Sequence, residues 1–239
     1  MLRDPRYDRS RLIDAAARAV ARGRLAKAIA LYRWVLALEP QNADLHLKLA
    51  PLLARAGQRY DAWLSFHAAA RALVRNGQPE RALAVYRQAA SVLPREVQAW
   101  QSIARIQQRG GRGREAVDTL LEGSRHLRRT RLRPRAIHLL RLAREIEPWH
   151  FDSVHELARL LGRSAQRQEA GLLLRGLARR CGGERLRRVR AAEVRLSPTP
   201  ASAWRWLRAT VRPAPEPRTA AGAASEVVPL RRVSARGRP

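Results

Sequence analysis

Leu38-Glu39-Pro40, Val92-Leu93-Pro94 and Ile146-Glu147-Pro148 recur along this chain at a constant step of 54 residues. A fixed internal period constrains a fold more than composition does, because each copy must bury its apolar face against its neighbours. The columns before the prolines agree: Ala28, Ala82 and Ala136; Tyr32, Tyr86 and Leu140; Arg33, Arg87 and Arg141. So do those after them: Leu49, Ile103 and Leu157, then Ala50, Ala104 and Ala158, then Ala62, Ala116 and Ala170. A fourth copy arrives four residues early, with Trp204 following Leu196-Ser197-Pro198 as Trp100 follows Pro94. The chain is a repeat protein.

Each period holds three amphipathic helical patterns. Leu45, Leu49, Leu52 and Leu53 space a helix over 43–56 that ends at Gly57. Ala62, Phe66, Ala69, Ala70 and Leu73 space the next over 59–76, up to Gly77. Ala82, Leu83, Tyr86, Ala89, Ala90 and Leu93 space a third over 79–93, with Pro79 at a helix start that tolerates it. On this spacing residues 9–212 hold about twelve helices, and short connections make neighbours antiparallel. Pro51 removes a backbone donor inside one of them and is expected to kink or split it. Trp34, Trp63, Trp100 and Trp149 fall at core-like columns. Trp204 and Trp206 lie two apart on one helix and cannot share a buried face. One of them is a candidate contact residue or a cap on the end of the array.

These columns resemble tetratricopeptide (TPR) repeats, helix–turn–helix units with a W-x₂-L-G…Y…A…F…A…P pattern. Trp100 and Ile103 stand at its Trp and Leu, with Ala104 in place of its Gly. Gly23, Gly57, Gly77 and Gly111 stand at its turn, and Ala28, Ala62, Ala82, Ala116, Ala136 and Ala170 at the alanine of its second helix. Tyr32, Phe66 and Tyr86 supply its aromatic, and Pro40, Pro94 and Pro148 its closing proline. The resemblance covers about residues 9–184, with echoes to 212, and one helix of each period serves two units. It implies an all-α, TPR-like right-handed α-solenoid that holds partner peptides or helices and catalyses nothing.

The ends and windows exclude other classes. Arg3, Asp4, Arg6, Asp8, Arg9 and Arg11 leave no apolar middle for a secretory signal, and no run of about 18 apolar residues occurs. One cysteine, Cys181, excludes a disulfide framework and any Cys-based zinc module, so a cytoplasmic protein is expected. Residues 1–8 read as an extension, and 213–239 as a disordered basic Pro/Ala-rich tail opened by Pro213, Pro215 and Pro217. Within that tail Val227-Val228-Pro229-Leu230 is the one apolar patch, and Arg231-Arg232-Val233-Ser234 has the form of a basophilic kinase site. Gly110-Gly111-Arg112-Gly113 joins two helices and follows no strand, so it reads as a turn and not as a phosphate cradle. The six histidines show no H-x-x-x-H spacing, and Cys181 has no CxxC neighbour. No catalytic, cofactor or metal constellation emerges.

Charge is what remains to be explained. Lys and Arg total 48 against 20 Asp and Glu, for a formal net charge of +28, and only Lys27 and Lys48 are lysines. The codon usage of a GC-rich bacterium accounts for arginine over lysine; it does not account for the shortage of acids. The excess is densest over 125–135, where Arg125, Arg128, Arg129, Arg131, Arg133 and Arg135 meet no acid at a helix–helix connection. Arg185, Arg187, Arg188 and Arg190 form a second group, continued by Arg195. Guanidinium forks grip carboxylates and phosphates in bidentate fashion. Two functions follow: a protein-interaction scaffold for a partner that is acidic, or a solenoid that binds nucleic acid or another anionic surface. The aromatics are not interleaved with the arginines, which disfavours base stacking.

Overall fold

A computed structural model describes residues 8–211 of the chain, and its helices begin where the period puts them. Helices α2 (Leu25–Leu38), α5 (Pro79–Val92) and α8 (Arg133–Ile146) start 54 residues apart. The same step separates α3 (Ala43–Arg55), α6 (Val97–Arg109) and α9 (Phe151–Gly162), and again α4 (Arg59–Arg75), α7 (Gly113–His126) and α10 (Arg167–Ala178). Helix α1 (Arg9–Ala21) precedes the first copy, and α11 (Gly183–Leu196) with α12 (Pro200–Val211) opens a fourth. Among the described residues the regular structure is these twelve α-helices and one 3-10 turn, Thr130–Leu132, giving the all-α repeat array expected. The expected tail at 213–239, with its apolar patch and its arginine–serine motif, lies outside the described residues. So does the N-terminal extension, apart from Asp8, whose Oδ1 caps α1 by accepting from the Arg11 amide at 3.0 Å.

One turn geometry recurs. At the end of α3 the Gly57 amide donates to the Ala54 carbonyl at 3.0 Å and the Gln58 amide to the Leu53 carbonyl at 2.9 Å. This closure needs a left-handed residue, and Gly57 takes φ 79°, which a Cβ would oppose. The same bond pattern closes the helices ahead of Gly23, Gly77 and Gly111. Between the turns the alanine columns are the tightest points: Ala28, Ala62, Ala82, Ala116, Ala136 and Ala170 are all fully buried. Equivalent columns also make equivalent bonds. Trp100 Nε1 donates to the Pro94 carbonyl at 3.0 Å, and His46 Nε2, one period earlier, lies 3.1 Å from the Pro40 carbonyl.

Two expectations need correction. Pro51 does not split its helix: α3 runs unbroken from Ala43 to Arg55. The buried Leu45, Leu49, Leu52 and Leu53 fix it against its neighbours and outweigh the lost backbone bond. Trp34 and Trp149 are not core residues; each is about half-exposed, whereas Trp63 and Trp100 are buried. Trp34 lies across α2 from the buried Tyr32, and one period on its column holds the exposed Gln88. Trp149 stands in a turn whose equivalents are Gln41 and Arg95.

The chain divides into two compact units, Met1–Leu173 and Leu174–Pro239, with the boundary inside α10. In the first unit each helix from α1 to α9 packs on the next, and α3 with α5, α6 with α8 and α7 with α9 also touch. In the second, α11 packs on α12.

Candidate functional site

The arginine-rich connection at 127–132 owes its length to a missing glycine. Position 131 is the register equivalent of Gly23 and Gly77, and it holds Arg131. No described residue other than glycine has a positive φ, so the compact left-handed turn is not made there. Helix α7 stops early, at His126, and the chain crosses to α8 through the 3-10 turn at Thr130–Leu132. Leu127, fully buried in the column of Leu73, pins the start of the connection to the core.

The six arginines expected to act together are in two states. Two are occupied. Arg128 Nε lies 3.1 Å from Glu156 Oε1, and Arg159 grips the same nearly buried carboxylate with bonds of 2.9 and 2.6 Å. Arg133 Nη1 donates to the Arg163 carbonyl at 2.6 Å, tying α8 to the end of α9. The other four, Arg125, Arg129, Arg131 and Arg135, are exposed and make no hydrogen bond or ion pair among the described residues. Arg135 stands in the first turn of α8, which carries no acid, so its charge adds to the positive end of the helix dipole. That combination is unfavourable alone and favourable once an anion sits on it.

The second arginine group belongs to α11. Arg190 donates to Glu193 Oε2 at 2.7 Å, and the Glu193 side chain is almost buried. Arg185 and Arg188 are engaged by their own surroundings, while Arg187 is exposed. On α12 both Trp204 and Trp206 are exposed.

The structure adds a group that the sequence reading passed over. In the first copy Arg33 Nη2 donates to Gln58 Oε1 at 3.0 Å and to Asp61 Oδ2 at 2.5 Å. Two periods on, Arg141 repeats the ion pair with Glu169 at 2.9 Å. The middle copy has Arg87 and Glu115 at the same columns, yet they do not pair. Its counterpart of Gln58 is Arg112, which lies 3.9 Å from Glu115 and binds Glu80 at 2.6 Å. A cation has replaced the amide, and Glu115 is shared between it and Gln107, whose Nε2 donates to Glu115 Oε2 at 3.4 Å. Arg87 is thereby left exposed beside a groove lined by Pro94, Trp100, Thr119, Glu122 and His126. The His126 ring stacks on Trp100 there, centroids 5.5 Å apart. The column Gln58, Arg112, Gln166 was the available signal.

Perturbed titration lies elsewhere, at Tyr32 of α2, whose pKa burial raises, and between α4 and α5. Burial raises the pKa of Tyr86, whose hydroxyl is 3.0 Å from His67 Nδ1. Burial, helped by the charges of Arg71 and Arg105, lowers that of His67. Among the described residues no group of three or more His, Cys, Asp or Glu is placed to hold a metal ion. No described helix is long and apolar enough to cross a membrane.

Residues 61–106, from α4 to α6, match the family model described as Tetratricopeptide repeat. A comparison with curated proteins gives no match. Among solved structures the chain is similar to TPR-like repeats of a kinesin light chain from Podosopora anserina, at 19% identity over 80% of this chain and 97% of that one, TM-score 0.37. It is similar to a TPR repeats protein from Bacteroides fragilis at 12% identity over 85% and 98%, TM-score 0.35. It is similar as well to PilF of Pseudomonas aeruginosa at 15% identity over 85% and 91%, TM-score 0.30.

Proposed function

We propose that this chain, a TPR-like helical-repeat protein, is a non-enzymatic protein-interaction scaffold of the cytoplasm that uses residues 9–212 as its repeat array. Its anchor for an acidic partner segment is the connection between α7 and α8. One observation carries the reading: Arg125, Arg129, Arg131 and Arg135 are exposed and unpaired around a connection pinned by the buried Leu127. Protein surfaces normally interleave charges of both signs, and this one holds no acid over 125–135. Arg87 offers a further carboxylate contact at the α5–α7 groove. Nucleic acid is the second reading, since the same guanidiniums fit phosphates. It ranks lower because no Phe, Tyr or Trp stands among the arginines of 125–135, where a base-stacking face would be needed. Fluorescence anisotropy with a polyglutamate peptide and with a single-stranded RNA oligonucleotide separates the two. The scaffold reading expects tighter binding of the peptide, lost when the four arginines become alanine. Preference for RNA, lost in the same variant, would favour the second reading.

A further inference from the structure

Helix α12 displays a face that its earlier copies keep covered. By register it is the fourth member of the series α3, α6, α9. Trp204 falls in the column of Trp100 and Val154, Leu207 in that of Ile103 and Leu157, and Val211 in that of Gln107 and Leu161. The α6 and α9 members are sealed, none more than 6% exposed, and in α3 Leu49 and Leu53 are buried with His46 partly so, whereas Trp204, Leu207 and Val211 are 65%, 46% and 70% exposed. What covers the column is visible in the α6 copy. There α7 lies on it: Gly123 sits so close to the Trp100 ring that a Cβ would come within 2.5 Å, and Thr119 Oγ1 donates to Gln107 Oε1 at 2.9 Å. Helix α12 has the side chains to receive such a neighbour, and no described helix lies after it.

We infer that α12 is a docking face for an acidic amphipathic helix of a partner protein, seated on Trp204, Leu207 and Val211 as α7 is seated on Trp100, Ile103 and Gln107. The inference rests on the scaffold reading and gives it a second, independent contact. Charge selects the occupant. Residues 183–211 carry seven arginines against two glutamates, so a second copy would bring seven more to the same contact. Residues 212–239 carry six arginines against two glutamates and are repelled likewise. An acidic helix meets no such opposition. Register also sets its contact side chains. Opposite Trp204 it needs a residue as small as Gly123, and four positions earlier, opposite Val211, an apolar one in place of Thr119.

The test is binding of a synthetic acidic peptide of about twenty residues to the full chain, long enough to sustain a helix. The peptide copies the α7 contact columns with glycine at the Gly123 position, leucine at the Thr119 position and glutamate on the outer face. We expect it to bind at least about tenfold more tightly than a scramble of the same composition. Leu207→Asp, at an exposed position whose fold is checked by circular dichroism, removes that advantage. Exchanging the peptide's glycine for leucine abolishes binding, and Trp204→Ala in the protein restores it. Equal binding of the scramble, or indifference to Leu207→Asp, overturns the inference. If the peptide then binds through Arg125, Arg129, Arg131 and Arg135, the scaffold reading survives without this face; if it binds nowhere, both fail. A dimer dispersed by Leu207→Asp gives the face to a second copy. A disulfide trapped between Leu207→Cys and Val228→Cys, in a Cys181→Ser background without peptide, gives it to the chain's own end. Either result overturns the inference.

Discussion

The junction between α4 and α5 and the junction between α7 and α8 occupy the same place in successive copies, and they are built differently. The first spans three residues around Gly77, with φ 71°. The second has Arg131 in the glycine column and spans six residues through a 3-10 turn. One substitution in a repeat therefore does two things: it removes the left-handed closure, and it lengthens the chain available to carry side chains outward. The array tolerates this because Leu127 still reaches the core and Arg133 still ties α8 to the end of α9. In repeat proteins a departure from register at one junction need not spread, since each copy contacts chiefly its neighbours.

The largest effect expected from breaking that comparison is at Gly77. Gly77→Arg puts a Cβ on a left-handed residue and should cost about 1–2 kcal/mol in urea unfolding. A Cβ there meets no neighbouring atom, so the cost is conformational and steric relief elsewhere will not recover it. Next comes the division of labour among the arginines of the longer junction. Arg128→Ala leaves Glu156 with Arg159 alone and should cost about 0.5–1 kcal/mol, while Arg129→Ala should leave the unfolding midpoint unchanged. Arg135→Glu reverses the charge at the start of α8 and should stabilise the fold by about 0.3–1 kcal/mol while weakening anion binding. The smallest effect concerns Arg87. Arg112→Gln recreates the arrangement around Arg33, and a double-mutant cycle between Arg87 and Glu115 should then show a coupling of about 0.3–0.5 kcal/mol, against none in the unaltered chain.

Much of this was legible in the residues. The helix starts follow the 54-residue columns because alanine and leucine spacing and glycine turns are local signals, read within one helix and its ends. Pro51 does not split α3, because its penalty is local while the buried leucines on either side of it act through packing. Trp34 and Trp149 were misjudged although their columns carry Gln88 and Gln41 with Arg95, which shows that side-chain size is a poorer guide than register. The occupancy of the arginines was beyond local reading. Arg128 and Arg133 find Glu156 and Arg163 about thirty residues away, on a helix that only the fold brings near. Arg87 lies between these cases: its freedom is set by Arg112, and the Gln58–Arg112–Gln166 column shows the competitor once the pairing is known.

Anion binding at the longer junction is proposed because four of its arginines are unpaired. It is tested most directly by titrating an acidic peptide onto the full chain at a series of salt concentrations, with the unaltered protein and with Arg125, Arg129, Arg131 and Arg135 replaced by alanine. The expected result is affinity that falls steeply with salt in the unaltered chain, and a variant of equal stability that binds at least about tenfold more weakly at low salt with a flatter salt dependence. Superimposable titrations of the two proteins would contradict the claim.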